Sequence, residues 1–388
     1  MAKIAAPQRS RAGKLPEKLP LLPSGGSEKE LELTPDASNV PIFDGHNDAL
    51  LRLWRHDRSG RSFFERGERG HIDLPRAREG GLAGGIFATF VADQNGPRLD
   101  EMIDKAGGAI DLPAMAGVAQ SAALTATIGQ AAILYRLARE SAGTLCVCRT
   151  VAEIRAAMAD GVFAAVLHSE GAEPIGPDLD ELEVLYQAGL RSLGLVWSRK
   201  TIFGEGVPFR FPASPDTGPG LTERGEALVR ACNRLGVMID LSHLNEKGFW
   251  DVARISEAPL VATHSNVHAL SPVSRNLTDW QLAAIRETGG VVGLNFAVFF
   301  LRDDARRNPD TPLEVMVRHL DYMLEKVGPT GVALGSDFDG ALVPAAIGDA
   351  AGLQNLVAAM RAAGYDDDLI TGICHRNWLS VLERTWRA

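Results

Sequence analysis

Two short apolar runs in this chain each lead into a histidine: Val237-Met238-Ile239-Asp240-Leu241-Ser242-His243 and Pro259-Leu260-Val261-Ala262-Thr263-His264-Ser265. Imidazole is a common ligand for catalytic metal ions. More candidate ligands follow similar runs. His46-x-Asp48 follows Val40-Pro41-Ile42-Phe43-Asp44-Gly45, Glu170 follows Ala164–Ser169, and Asp337 follows Gly331–Ser336. Residues two apart on a strand project to one face, so His46 and Asp48 can grip one ion together, and His168 shares a face with Glu170. Three imidazoles and three carboxylates are too many for one tetrahedral zinc with an open position. They suit two ions. His46 and Asp48 would take one and His243 and His264 the other, with Glu170 shared and Asp337 left as general base. Two such ions lower the pKa of a bridging water and polarise a carbonyl, which is what amide hydrolysis requires. Zinc suits mixed imidazole and carboxylate ligands, and manganese or cobalt would also fit.

A lone histidine is ordinarily a core or surface residue. Six groups at five strand ends of one pattern are hard to produce that way. His56, His71, His319 and His375 take the ordinary reading, and His268 is a loop residue near the same edge. Asp339 shares a face with Asp337 and serves equally well as a hydrogen-bonding support or a base.

These groups need one sheet edge to meet on. Eight strand-like runs can be counted: 40–48, 84–91, 164–171, 192–198, 237–243, 259–265, 289–296 and 331–340. Buried parallel strands read as such Val/Ile/Leu-rich runs, and the roughly 15 residues between the fifth and sixth suit a crossover helix. Helical spacing predicts helices over 100–142, 179–188, 223–235, 313–327, 349–363 and 367–384. The pattern is an α/β chain folded as one (β/α)8 barrel of the TIM type, where chemistry gathers at the carboxyl ends of the strands. A doubly wound open sheet is the alternative, but no Gly-x-Gly-x-x-Gly follows the first strand to make a dinucleotide site. The long loop 199–220, rich in Gly, Pro and Phe, would shape a pocket at the active edge. Residues 1–38, rich in Pro, Lys, Glu and Ser, are expected to form an extended or disordered arm, leaving 39–388 as one catalytic domain.

Composition narrows the partners. The net charge of −9 with no basic patch argues against nucleic acid. No apolar run reaches the roughly 18 residues of a membrane span, and the N-terminus lacks a secretory apolar core. Cys146, Cys148, Cys232 and Cys374 show neither disulfide nor zinc spacing, so a reduced, cytoplasmic protein is expected. Cys146 and Cys148 would share one face of a strand as small core residues.

On its motifs the chain resembles the membrane (renal) dipeptidase family within the amidohydrolase-like barrels. The matching stretches are Asp44–Asp48, Glu170-Gly171, Leu185–Arg191, Gly220–Thr222, Asn233–His243, Thr263–Ser265, Ser274–Asn276 and Gly335–Gly340. The resemblance implies a binuclear zinc peptidase that cleaves dipeptides with a metal-bridged water and tolerates a D-residue at the carboxyl-terminal position. Another small amide, such as an N-acyl amino acid, is the alternative substrate. Asp337 would take the water's proton and later protonate the leaving amine. Arg275 matches an arginine that holds the substrate carboxylate, a task suited to a guanidinium fork, and Asn276 beside it is expected to bind substrate too. Two positions depart from the family. Trp197 stands where mammalian members have a substrate-polarising histidine, with His168 as a partial stand-in, and Phe300 replaces a tyrosine. A homodimer is implied by the resemblance alone.

Overall fold

The computed structural model describes residues 39–386 apart from 57–61, 93–101, 105–109 and 113–114, all within the unit spanning residues 34–388. The expected arm over 1–38 lies outside the described residues. Eight parallel strands follow one another in chain order around a nearly closed barrel: Ile42–Asn47, Leu82–Phe90, Phe163–Glu170, Leu190–Gly194, Met238–Asp240, Val261–Ala262, Val291–Asn295 and Val332–Gly335. The ring closes where the first and last strands meet. There Asp337 N–H donates to the His46 carbonyl (3.0 Å) and Asp48 N–H to the Phe338 carbonyl (2.8 Å). This consecutive order excludes the open doubly wound sheet.

Alternate residues on the strands divide between two apolar clusters. Ile42, Phe87, Leu167, Ile239, Val292 and Leu334 face the helices, whereas Phe43, Ile86, Val166, Met238, Val291 and Ala333 form a second cluster with Trp378. That is the period of two expected of barrel strands. Trp378, on the last helix Asn377–Thr385, has no exposed surface and donates its indole N–H to the Leu334 carbonyl at 2.8 Å. The Trp378 ring leaves no room for a side chain at Gly45, where an added Cβ would lie 2.3 Å from its Cζ2.

Helix boundaries follow local chemistry. Thr222 caps Glu223–Leu235 through the Gly225 N–H, and Gly236, at φ 70°, ends the helix. The segment Leu313–Val327 is helical as expected. Among the described residues, no helix is long and apolar enough to cross a membrane.

Three expectations need correction. The helix predicted over 100–142 is Gln120–Glu140, with residues 102–104 helical before it. Ile110–Asp111 instead pairs with Arg210–Phe211 as a short antiparallel ribbon, its Ile110 packed in a mouth cluster with Phe209 and Phe300. The fourth strand ends at Gly194, so Trp197 lies in the turn beyond it. The fifth, sixth and eighth strands stop before His243, His264 and Asp337. There the side chains of Asp240, Ser242 and Asp44 capture backbone N–H groups that sheet partners would otherwise take.

Truncating Trp378 should show what holds the barrel floor. Trp378→Ala is expected to destabilise the protein by about 3–5 kcal/mol, read from chemical denaturation, because it opens a cavity against a packed interior.

Candidate metal centre

The strand ends bring His46, Asp48, Glu170, His243, His264 and Asp337 together, all of them buried. Glu170 is the meeting point. Its Oε1 lies 3.1 Å from His243 Nε2, 3.5 Å from His264 Nε2 and 3.7 Å from His46 Nε2. Asp48 Oδ2 is 3.8 Å from His46 Nε2, and the two imidazoles His243 and His264 approach to 3.1 Å between their Nε2 atoms. His46 also stacks on His264 with ring centroids 3.8 Å apart. His46, Asp48 and Asp337 form one potential ligand group, and His46, Glu170 and His264 another.

The hydrogen bonds turn these nitrogens into metal donors. Thr263 Oγ1 lies 2.5 Å from Asp240 Oδ2, which can only accept, so its single proton goes there. Thr263 Oγ1 must then accept from His264 Nδ1–H at 2.8 Å, leaving the lone pair of His264 Nε2 facing Glu170. His243 Nδ1 is likewise held, by Ser198 Oγ at 2.8 Å. Both nitrogens of His46 and Oδ1 of Asp48 are buried without a hydrogen-bond partner. Such groups carry a desolvation cost that a cation would offset. The donors therefore fit a metal ion, and their chemistry, imidazole with carboxylate, fits zinc.

Electrostatics says the same. Burial pushes His243 and His264 well below the usual imidazole range, with Arg275 and His46 adding repulsion. Burial raises Glu170 well above the carboxylate range. Burial and the neighbouring Asp48 lift Asp337 to about 6. For His46, burial opposes the charge, but Glu170, Asp48 and Asp337 outweigh it and hold the pKa at about 10.

Asp337 sits at φ 57° in a tight turn and accepts from Asn295 Nδ2 at 3.0 Å. Gly340 makes that turn possible, since a Cβ there would meet Asp48 Oδ2 at 2.2 Å and Asp337 Oδ1 at 2.3 Å. Asp339 faces elsewhere. Its Oδ1 accepts from His71 N–H at 2.8 Å and its carbonyl from Arg52 at 2.7 Å. Because the strand has ended, the alternation that would pair Asp339 with Asp337 no longer applies.

The remaining predicted residues ring the centre. Arg275 is buried, donating to Ser265 Oγ (2.7 Å) and the His264 carbonyl (2.9 Å) while its Nε–H has no partner. Among the described residues no carboxylate forms an ion pair with it. Asn276 gives its amide to the Ser271 and Phe300 carbonyls, both at 2.8 Å, and so holds Phe300 in place. Trp197 packs against Phe90, Phe209 and His243. His168 pairs with Ser192 Oγ at 2.8 Å, and its Nε2 faces Asp240 Oδ2 at 3.8 Å. Of the histidines given an ordinary reading, His71, His268, His319 and His375 each bond backbone; the side chain of His56 lies outside the described residues.

Sequence reasoning missed Asp44, Asp240, Ser198 and Asn295, whose hydrogen bonds hold the candidate ligands or their turns; Asp240 also lies with His46 and His168 in a third potential ligand group. Asp44 and Asp240 lie two and three residues before ligand histidines, a spacing that carried the signal.

Comparison with known proteins agrees. The family model for membrane dipeptidase (peptidase family M19) matches residues 36–387. A metallopeptidase from Rhodobacter sphaeroides, solved with a phosphinate mimic of the dipeptide L-Ala-D-Ala, is 52% identical and superposes with a TM-score of 0.86, covering 90% of this chain and all of that one. A protein encoded in the pqqA 5′ region of Klebsiella pneumoniae is 51% identical over 258 residues, 66% of this chain and 95% of its own. A dipeptidase of Clonostachys rogersoniana is 27% identical over 362 residues, 92% of this chain and 86% of its own.

Metal uptake should release protons. Glu170, Asp48 and Asp337 hold the pKa of His46 at about 10, so at pH 7 ligation through His46 must displace a proton. Zn2+ titrated calorimetrically into chelator-stripped protein is expected to show an apparent enthalpy that varies with the buffer's ionisation enthalpy. A buffer-independent enthalpy would contradict the protonated resting site.

Proposed function

The chain belongs to the membrane dipeptidase family of metallopeptidases, and from that membership we propose a binuclear zinc centre serving its hydrolysis of dipeptides. The observation that carries this reading is Glu170 Oε1, poised within 3.7 Å of three imidazole nitrogens from three other strand ends. His46 and Asp48 would hold one ion, His243 and His264 the other, and Glu170 both. When bound, such ions make water acidic enough to attack at neutral pH and polarise the scissile carbonyl.

The chain's own residues do the rest. Asp337 takes the proton of the attacking water and delivers it to the leaving amine. Burial and Asp48 lift its basicity to about 6 in the protein alone, and Asn295 fixes its orientation. Arg275 receives the substrate's carboxylate. It is a buried cation whose pKa burial lowers only to about 10, so it stays charged. Trp197, Phe209 and Phe300 wall the mouth. His168, among Ser192, Asp240 and His46, supports the ligands. The four cysteines are free thiols, three of them buried, which suits a cytoplasmic setting.

Metal analysis with a panel of L-Xaa-L-Xaa and L-Xaa-D-Xaa dipeptides tests the reading. About two zinc ions per chain and clear turnover are expected, with Asp337→Asn keeping its metal and losing roughly 10²–10⁴-fold in kcat. Zero or one metal in zinc-supplied, folded protein would refute the binuclear centre. Two metals without dipeptide turnover would move the substrate to another small amide. Replacing the substrate carboxylate by an amide should cost wild type about 10–100-fold in kcat/KM, and Arg275→Lys should narrow that gap.

A further inference from the structure

We infer that Asp240 is a positioning residue that fixes His243 and His264 as a pair, an inference that rests on the metal-centre reading above. Asp240 ends the fifth strand and is 1% exposed. Its Oδ1 accepts two backbone N–H groups, from Ser242 at 3.0 Å and from Thr263 at 2.8 Å. Each of these residues immediately precedes a metal-binding histidine. One carboxylate oxygen thus ties together the two turns that present the imidazoles. The other oxygen, Oδ2, accepts from Thr263 Oγ1, which in turn accepts from His264 Nδ1–H. Carboxylate, hydroxyl and imidazole form a relay that fixes both the tautomer and the ring orientation of His264, leaving Nε2 free for metal.

Further bonds extend the clamp. Ser242 Oγ accepts from His264 N–H at 3.2 Å and lies 3.4 Å from Ser265 Oγ, which accepts from Arg275. Asp240 Oδ2 also faces His264 Nδ1 at 3.9 Å and His168 Nε2 at 3.8 Å. His243 sits at φ 68°, a left-handed conformation unfavourable for a residue with a Cβ. The Ser242 N–H bond to Asp240, one residue earlier, helps hold the chain there. Without the carboxylate, the Ser242 and Thr263 N–H groups lose their shared acceptor, and the 3.1 Å approach of the two Nε2 atoms rests on the weaker His264 N–H bond to Ser242 Oγ and the bond of His243 to Ser198.

The prediction is selective. The effect falls first on the ion held by His243 and His264, whose turns the clamp joins, whereas the His46 and Asp48 ion is held from the first strand. Stripped wild type, Asp240→Asn, Thr263→Val and Thr263→Ser would each be titrated with Zn2+ against a competing chelator, with circular dichroism confirming the fold. Wild type should show two binding steps. Asp240→Asn should keep one and weaken the other by roughly 10–100-fold, the usual cost of losing an outer carboxylate partner. Thr263→Val should weaken the same step, and Thr263→Ser, which keeps the hydroxyl, should restore it. If Asp240→Asn does not fold, the two Thr263 variants decide. Unchanged affinities, or equal weakening of both steps, would overturn the proposal while leaving the dipeptidase reading intact. Wild type that takes up no Zn2+ would overturn the metal centre itself, and this proposal with it.

Discussion

Glu170 Oε1 and His264 Nε2 face each other at 3.5 Å with no proton on the histidine nitrogen to share between them. Both are buried, and the dielectric that would screen them in water is absent. Asp48 and Asp337 add negative charge, and His46 contributes two nitrogens without partners. Left alone, this cluster is a concentrated electrostatic cost in a molecule whose whole stability margin is of order 5–15 kcal/mol. In the proposed centre, cations would remove the conflict, and the hydrogen bonds around the mouth hold the repelling groups in place.

That requirement explains why the strands stop where they do. A regular strand would carry its side chains alternately in and out and could not aim consecutive turns at one point. The fifth, sixth and eighth strands are cut short, and two buried carboxylates take over the backbone N–H groups that the sheet gives up. Asp240 ties the turns of His243 and His264. Asp44 does the corresponding work at the barrel seam, accepting from Ser336 N–H at 2.7 Å and Ser336 Oγ at 2.8 Å, and so binds the first strand to the turn that presents Asp337. Burial raises Asp44 to about 6, and the bonds from Ser336 oppose that rise. His243, Asp337 and Asp339 all adopt positive φ, and these strained residues lie in the turns that carry or flank ligands.

This division of labour also explains what the sequence could tell. Barrel order, the eight strands and the six converging groups were legible because each rests on local pattern: an apolar run, then a histidine or carboxylate. The clamps were not, because an aspartate inside a buried run looks the same whether it ligates, caps or bridges. Only the fold shows that the Asp240 oxygens meet Ser242 and Thr263. Strand ends were over-extended for the same reason, since apolar residues such as Leu241 and Val196 stay buried after the sheet has ended. The short ribbon of Ile110–Asp111 with Arg210–Phe211 was hidden because its pairing joins segments a hundred residues apart, and no local period records it.

The turn that carries His264 also anchors Arg275, the residue proposed above to hold the substrate carboxylate. Arg275 donates to the carbonyl of His264 and to the hydroxyl of Ser265, so its guanidinium is anchored to the residue that would hold an ion and to the one after it. The distance from a bound carboxylate to a carbonyl on the metal centre is then set by a few covalent bonds and two hydrogen bonds, with no flexible loop between them. A rigid spacing of that kind measures substrate length. With the roles proposed above, a free carboxylate one residue beyond the scissile bond, as in a dipeptide, is the group Arg275 would meet. Phe300, its backbone held by Asn276 and its ring 5.7 Å from the guanidinium carbon, closes the side of the arginine, and its stacking on Phe209 continues the wall to Trp197. With those roles, the charged fork tied to His264 and Ser265 would read length, leaving the aromatic wall of Trp197, Phe209 and Phe300 to meet the side chains.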